Sequence, residues 1–246
     1  MQFRLAASLD PVAVRERFSA DGYVHLPDIL SMENAARIYE CLMEETEWNL
    51  VFNDRSRHID MPVEQLRTLP RDKADQLQQA IFAQASQGFQ YCYHNYPIYD
   101  AHVAGRNREH LLHRFYEFLN GEVFLGFARA ATGLDDIAFA DAQATRYMSG
   151  HFLTTHDDTS EGKNRRAAYV FNFTRNWSAD WGGYLQLLDE AGHVRRGLKP
   201  SFNALNIVAV PQTHNVGFVA PFAGGMRLSI TGWLRSGEPS EYSCRG

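Results

Sequence analysis

The tetrapeptide Thr155-His156-Asp157-Asp158 places a histidine and an aspartate two residues apart. In an extended strand, side chains at positions i and i+2 leave the same face, so His156 and Asp158 can reach one point in space. Asp157 then points the opposite way, either toward solvent or toward groups that support the ligands. An imidazole nitrogen and a carboxylate oxygen together form half of a mixed nitrogen–oxygen metal site. The same spacing also arises by chance in surface turns, so by itself it leaves both interpretations open.

A histidine far along the chain, His214, can supply a third ligand. Two imidazoles and one carboxylate form the facial triad that suits non-haem Fe(II) and leaves coordination positions open for chemistry. We therefore predict that His156, Asp158 and His214 are the metal ligands and the catalytic residues.

Residues 226–233 (MRLSITGW) have the alternating pattern of a strand, which places Arg227 on one face with Ser229 and Thr231. An inward-facing arginine is costly to bury unless an anion meets it, and its planar fork suits a carboxylate. Beside a metal triad, this pattern indicates a carboxylate-bearing cosubstrate that chelates the metal. 2-Oxoglutarate fits, because its 2-oxo acid end can bind the metal while its far carboxylate meets Arg227.

The C-terminal half carries further short motifs around these residues, over about residues 143–234. They are Tyr147-x-x-Gly150, His156-x-Asp158, Arg166-Ala-Ala-Tyr169-Val-Phe-Asn172, Trp177, Trp181-Gly182-Gly183-Tyr-Leu185-Gln-Leu187, Pro200-x-x-Asn203, His214-x-Val216 and Arg227-x-Ser229. In this order they resemble the Fe(II)/2-oxoglutarate-dependent dioxygenases, and specifically the prolyl-hydroxylase-like branch that includes a yeast ribosomal-protein hydroxylase. The N-terminal half matches that family only in general layout.

The resemblance implies that Tyr169 and Tyr147 hydrogen-bond the cosubstrate, although either tyrosine could instead be a core residue. Ser229 could donate to the same carboxylate, or merely fill space beside Arg227. The implied cofactors are Fe(II), the cosubstrate 2-oxoglutarate and O2, with ascorbate as a candidate reductant.

The implied reaction is hydroxylation of a prolyl residue in a protein, with release of succinate and CO2. Hydroxylation of a free amino acid or another small metabolite is the alternative. A second alternative is a non-enzymatic β-sandwich binding module, which the presence of all three ligands and of Arg227 disfavours.

From residue 139 onward, short segments of period-two alternation follow one another between turn signals, without intervening helices. This pattern predicts a mainly β protein with helices, and the architecture that we expect is a double-stranded β-helix of the jelly-roll or cupin-like type. We predict one domain over residues 1–246, in which a helix-rich support at 1–137 buttresses one sheet of the core at 138–236.

Residues 71–93 have the pattern of a long amphipathic helix that runs into an aromatic cluster at residues 89–97. The aromatic residues are expected to pack that helix against the sheet. The alternative is that one or two of them line the substrate entrance.

Composition bounds the possible partners of this chain of 246 residues. A net charge of −5 provides no electrostatic reason to expect a nucleic acid or an anionic membrane as a partner. Cys41, Cys92 and Cys244 have no motif spacing, and their odd number argues against a disulfide framework. Because no signal-peptide pattern and no transmembrane run is present, we expect a cytoplasmic protein. The sequence leaves the substrate and the oligomeric state open.

Overall fold

The computed structural model describes residues 2–55 and 57–237. Cys244 lies outside the described residues, whereas Cys41 and Cys92 are free and buried. The helices are α1 (Pro11–Asp21), α2 (Met32–Glu40), α3 (Val63–Arg67), α4 (Arg71–Ala85), α5 (Ile98–Val103), α6 (Leu111–Leu119) and α7 (Glu122–Thr132). The strands are β1 (Tyr23–Pro27), β2 (Asn49–Asp54), β3 (Arg57–Pro62), β4 (Tyr91–Tyr96), β5 (Ile137–Ala140), β6 (Gln143–Tyr147), β7 (Phe152–His156), β8 (Arg165–Phe173), β9 (Leu185–Leu188), β10 (Val194–Leu198), β11 (Phe202–Ala209), β12 (His214–Val216) and β13 (Arg227–Ser236).

The strands pair antiparallel throughout the described residues, in the order β1-β11-β8-β13-β6-β4-β7-β12-β9-β10. The β2–β3 hairpin is attached to β4, and β5 pairs with β13. Side chains from β13 and from β12 line the same cavity, so the sheet curves back on itself to enclose that space. The predicted double-stranded β-helix is therefore confirmed.

Side-chain alternation along β8 separates the hydrophobic core from the cavity. Tyr169, Phe171 and Phe173 belong to the largest hydrophobic cluster, which the helices also enter. Ala168 and Val170 line the cavity instead. Because successive side chains of a strand leave opposite faces, one face of the sheet packs against the helices and the other lines the cavity.

Helices α6 and α7 cover the outer face of that sheet. Phe115 of α6 meets Phe171 edge-to-face at 5.3 Å between ring centroids, and Phe124 of α7 lies 6.0 Å from Tyr169. Both phenylalanines are fully buried. Replacing such a residue with alanine typically costs about 3–5 kcal/mol, so this layer holds the sheet in place. No helix within the described ranges has the length and apolar character needed to cross a bilayer.

The predicted helix at residues 71–93 is wrong in its second part. Helix α4 ends at Ala85, and after a turn the chain forms strand β4. β4 pairs with β6 along one stretch and with β7 along another, so it connects the two faces of the β-helix. The aromatic cluster therefore belongs to a strand, and its alternate residues line the cavity: Phe89, Tyr91, Tyr93, Asn95 and Pro97.

Candidate active site

The structure brings the three predicted metal ligands together from two strands and one loop. His156 ends β7, His214 begins β12, and the two residues are direct cross-strand partners. The carboxylate oxygens of Asp158 lie 3.4 Å from Nε2 of His156 and 3.4 Å from Nε2 of His214. One ligand atom from each residue falls within 4.8 Å of the others. We call these three residues the triad region.

The predicted strand conformation of Asp158 is wrong, although its side chain reaches the predicted place. β7 ends at His156, and Asp158 lies in the following loop with φ of 65°, in the left-handed region. The two ligands converge because the backbone turns after the strand, and not because of a regular two-residue alternation. Asp157 is exposed, which is the first of the two predicted orientations, and its carboxylate accepts hydrogen bonds from the backbone and the hydroxyl of Thr159.

Backbone carbonyls determine which nitrogen of each histidine carries the proton. Nδ1 of His156 donates to the carbonyl of Thr154 at 2.9 Å, and Nδ1 of His214 donates to the carbonyl of Gln212 at 2.6 Å. A carbonyl can only accept, so in each neutral imidazole Nε2 presents a lone pair. Such contacts to the other ring nitrogen orient metal-binding histidines in general.

The triad region therefore directs two nitrogen lone pairs and a carboxylate toward one point. Acceptor atoms that face one another repel, and a cation between them removes the repulsion. Burial alone would raise the pKa of Asp158, yet its close contacts with His156 and His214 hold that pKa below its ordinary value. An ionised carboxylate with two imidazoles is a donor set that fits a divalent non-haem iron with open positions.

The triad region borders a cavity of about 310 Å³ that also contains the predicted anchor, Arg227. Arg227 is 3% exposed, and its Nε has no hydrogen-bond partner among the described residues. No carboxylate in residues 2–55 or 57–237 lies within ion-pair distance of it. Burial lowers the pKa of this guanidinium, and nearby Tyr147 partly opposes that effect. A buried cation without an acidic neighbour is costly, so a ligand carboxylate would stabilise it.

Tyr147 and Ser229 lie in the same cavity as Arg227, as predicted. The guanidinium carbon of Arg227 is 4.8 Å from the centroid of the Tyr147 ring. Burial raises the pKa of Tyr147, so its hydroxyl stays protonated and can donate. The hydroxyl of Ser229 shares a hydrogen bond of 2.8 Å with that of Thr145, which also lines the cavity. We call Arg227, Tyr147 and Ser229 the arginine region.

Tyr169, by contrast, lies outside the cavity. Its side chain is fully buried, its ring packs against Phe124 and Phe171, and its hydroxyl donates to the carbonyl of Asp141 at 2.6 Å. The neighbours Ala168 and Val170 face the cavity in its place. A contact between Tyr169 and the cosubstrate therefore has no support from the structure, and we remove this residue from the candidate site.

Sequence analysis offered the aromatics of residues 89–97 only as an alternative lining of the entrance, and it missed Arg165 and Trp233. Phe89 is 51% exposed, and its ring centroid lies 5.6 Å from that of the ligand His156. Tyr91 follows it along the wall, 5.8 Å away between ring centroids. Arg165 and Trp233 form another part of the wall. The period-two spacing of the aromatics in residues 89–93 is the signal that could have identified β4 and its inward face.

Comparison with known proteins agrees with this geometry. Residues 142–235, which contain all three ligands and Arg227, match the family model described as the 2OG-Fe(II) oxygenase superfamily. The chain is therefore similar to this family over that segment. The family implies Fe(II), 2-oxoglutarate and O2 as metal, cosubstrate and oxidant. No curated protein sequence matches the chain significantly.

The fold of the chain is similar to several solved structures. A prolyl-4-hydroxylase from Pseudomonas putida has a TM-score of 0.58 at 15% identity, covering 92% of this chain and 99% of that chain. A 2OG-Fe(II) oxygenase-family oxidoreductase from Burkholderia pseudomallei has a TM-score of 0.63 at 13% identity, covering 98% and 97%. A Trichoplax adhaerens prolyl hydroxylase, in complex with a hypoxia inducible factor peptide fragment, has a TM-score of 0.59 at 14% identity, covering 91% and 87%. At these identities the likeness shows the fold alone, so the assignment to the branch of the yeast hydroxylase stays a prediction.

Proposed function

We propose that the protein is an Fe(II)- and 2-oxoglutarate-dependent hydroxylase that acts on a prolyl residue of a protein. One observation carries the proposal: a single cavity contains both the triad region and a buried guanidinium that has no acidic neighbour among the described residues. The triad region attracts a cation, and Arg227 attracts an anion. A dicarboxylate that chelates the metal through one end satisfies both.

Each group of residues then has a separate task. His156, Asp158 and His214 would hold Fe(II) and leave positions open, and their Nε2 and carboxylate atoms already converge. Arg227 would pair with the far carboxylate of 2-oxoglutarate, with Tyr147 and Ser229 beside it as hydroxyl donors. When bound, iron and 2-oxoglutarate supply the activation of O2 that hydroxylates a C–H bond, with succinate and CO2 as coproducts.

The cavity wall supports the choice of an apolar, ring-bearing substrate group. Phe89 exposes about half of its surface beside His156, and the ring of Tyr91 continues the same wall. Aromatic-lined grooves are a recurrent means of binding proline-containing peptides. The fold is shared with two solved prolyl hydroxylases, one of them in complex with a peptide.

The test combines a coupled assay with mass spectrometry. The purified protein, supplied with Fe(II), 2-oxoglutarate and ascorbate, is expected to form succinate when a proteome extract is added. Tryptic peptides should then show a mass gain of one oxygen on proline, and omission of 2-oxoglutarate should remove that gain. Oxidation of free amino acids without oxidised peptides would instead support a small-metabolite hydroxylase. Absence of 2-oxoglutarate-dependent succinate under all conditions would contradict the enzyme assignment.

A further inference from the structure

Asp158 differs from the other two ligands because no strand holds it. His156 and His214 lie on paired strands, whereas the loop that carries Asp158 runs from the end of β7 to β8. Its φ of 65° is uncommon for a residue with a side chain, and such conformations persist only when the surroundings determine them. Something outside the strand ladder must therefore keep this carboxylate in place.

Arg165, the first residue of β8, contacts the backbone of Asp158. Its Nη1 donates to the backbone carbonyl of Asp158 at 3.1 Å. Its guanidinium carbon lies 3.5 Å from the ring centroid of Trp233, so the flat cation rests on the indole face. Stacking and in-plane donation use different parts of the guanidinium and can operate together. The stacked ring thus restricts the direction from which Arg165 reaches Asp158.

Trp233 is itself firmly anchored in β13. Its backbone N–H donates to Oδ1 of Asp141 at 2.7 Å, and Asp141 is 1% exposed. The preceding Gly232 permits this close approach, since a Cβ there would lie 2.0 Å from the carbonyl oxygen of Asp141. Arg235, two residues further along β13, lies 3.4 Å from the other carboxylate oxygen of Asp141. The indole ring on which Arg165 stacks therefore belongs to a residue that is held firmly in the sheet.

We propose that Arg165, stacked on Trp233, is the positioning residue for Asp158. It transmits the fixed position of β13 to the loop and holds the backbone of Asp158 in its left-handed conformation, so that the carboxylate meets the two imidazoles. This inference rests on the proposed metal site. In this role Arg165 acts through the backbone of Asp158, so its loss should change the affinity and geometry of the metal first.

The experiment is an anaerobic titration of the full chain with Co(II), followed through its visible d–d absorption. Co(II) alone is the probe, so no substrate is needed. Arg165→Met keeps the length of the side chain but loses the donor and the charge, and it should weaken Co(II) binding roughly 10- to 100-fold, as losses of such supporting contacts do. Its absorption spectrum should also change, because the carboxylate no longer sits at a fixed angle.

Arg166→Met is the matched control. Arg166 is the next residue of β8, and it reaches Asp136 at the surface with 41% of its side chain exposed. This variant should keep the Co(II) affinity and spectrum of the wild type. Arg165→Lys retains the charge but loses the planar stack, and it should fall between the wild type and Arg165→Met.

The outcomes separate this inference from the proposed function. Wild-type Co(II) affinity and spectrum in a folded Arg165→Met variant would overturn the positioning role and leave the metal site standing. If Arg165→Met does not fold, as judged by circular dichroism, the result depends on Arg165→Lys, and an unchanged spectrum there overturns the role equally. A wild-type protein that binds no Co(II) would overturn the metal site, and this inference with it.

Discussion

The triad region and the arginine region share one cavity but have opposite electrostatic requirements. In the triad region, two imidazoles and one carboxylate face one another, and the acidic group has polar neighbours within 3.4 Å. In the arginine region, a guanidinium that is 3% exposed has no carboxylate within ion-pair distance among the described residues. The first arrangement is completed by a cation and the second by an anion. A ligand that binds both regions must therefore be anionic at one end and chelating at the other.

Removing a ligand from the triad region should have the largest effect. His156→Ala and Asp158→Ala are each expected to abolish iron binding and turnover, because three protein ligands leave little redundancy. Iron content after anaerobic reconstitution and 2-oxoglutarate consumption measure the two outcomes. His193→Ala, at an exposed position in the chain between β9 and β10, is the control and should keep both. Iron-dependent consumption in a folded Asp158→Ala variant would remove Asp158 from the site.

Removing the cation from the arginine region should affect the cosubstrate and spare the metal. Loss of one member of a buried charge pair typically costs about 3–5 kcal/mol. At about 1.4 kcal/mol per tenfold, Arg227→Ala should weaken 2-oxoglutarate binding by two to three or more decades. Arg227→Lys should be intermediate, because it keeps the charge and loses the fork.

Anaerobic 2-oxoglutarate titration of the Fe(II)-loaded protein, followed by its metal-to-ligand charge-transfer band, measures this effect. Arg196→Ala, on the exposed strand β10, is the matched control. Iron affinity should change little in all three variants. If Arg227→Ala binds 2-oxoglutarate as the wild type does, the anchor lies elsewhere and the contrast between the two regions disappears.

Two tyrosine variants test which tyrosine belongs to the arginine region. Tyr147→Phe should weaken 2-oxoglutarate binding about tenfold or more, because a hydrogen bond to a charged group contributes roughly 1.5–3 kcal/mol. Tyr169→Phe should leave that affinity unchanged, since its hydroxyl is committed to the carbonyl of Asp141. It should instead lower the free energy of unfolding by about 1 kcal/mol, the usual contribution of one hydrogen bond. The same titration measures the 2-oxoglutarate affinity, and urea denaturation measures the free energy of unfolding. Weaker 2-oxoglutarate binding in Tyr169→Phe, with no change in Tyr147→Phe, would return Tyr169 to the site.

The smallest effect is expected at the cavity wall beside the triad region. Phe89→Ala should raise the KM for a peptide substrate roughly fivefold, because one aromatic contact contributes about 1 kcal/mol. Metal and 2-oxoglutarate affinities should stay unchanged. Phe222→Ala removes an even more exposed phenylalanine (70%) that does not border the cavity. Equal KM values for the two variants would show that Phe89 does not contact the substrate.

The chemistry of the site was readable from the chain because it depends on residue identity. Two histidines, an aspartate and an arginine among alternating apolar residues predict a metal and a carboxylate ligand, whatever the conformation of the backbone between them. The same alternation predicted the β-helix and the inward face of β13. It could also have placed Tyr169, since Tyr169 shares a strand face with Phe171 and Phe173, which are core residues. At Tyr169 the strand period, and not the family resemblance, predicts the correct place of the side chain.

What only the tertiary structure decided were positions set by contacts distant in sequence. The segment after Ala85 forms strand β4 because β6 and β7, on the two faces of the β-helix, provide hydrogen-bond partners for its backbone. The helical spacing of its apolar residues contains no information about those partners. Asp158 reaches the two imidazoles through a left-handed turn in contact with Arg165, and nothing in a His-x-Asp pattern encodes that turn. The local sequence pattern therefore determined which side chains form the site, while long-range packing determined how they are brought together. The physical reason is that the backbone direction of a loop depends on its contacts with the rest of the sheet.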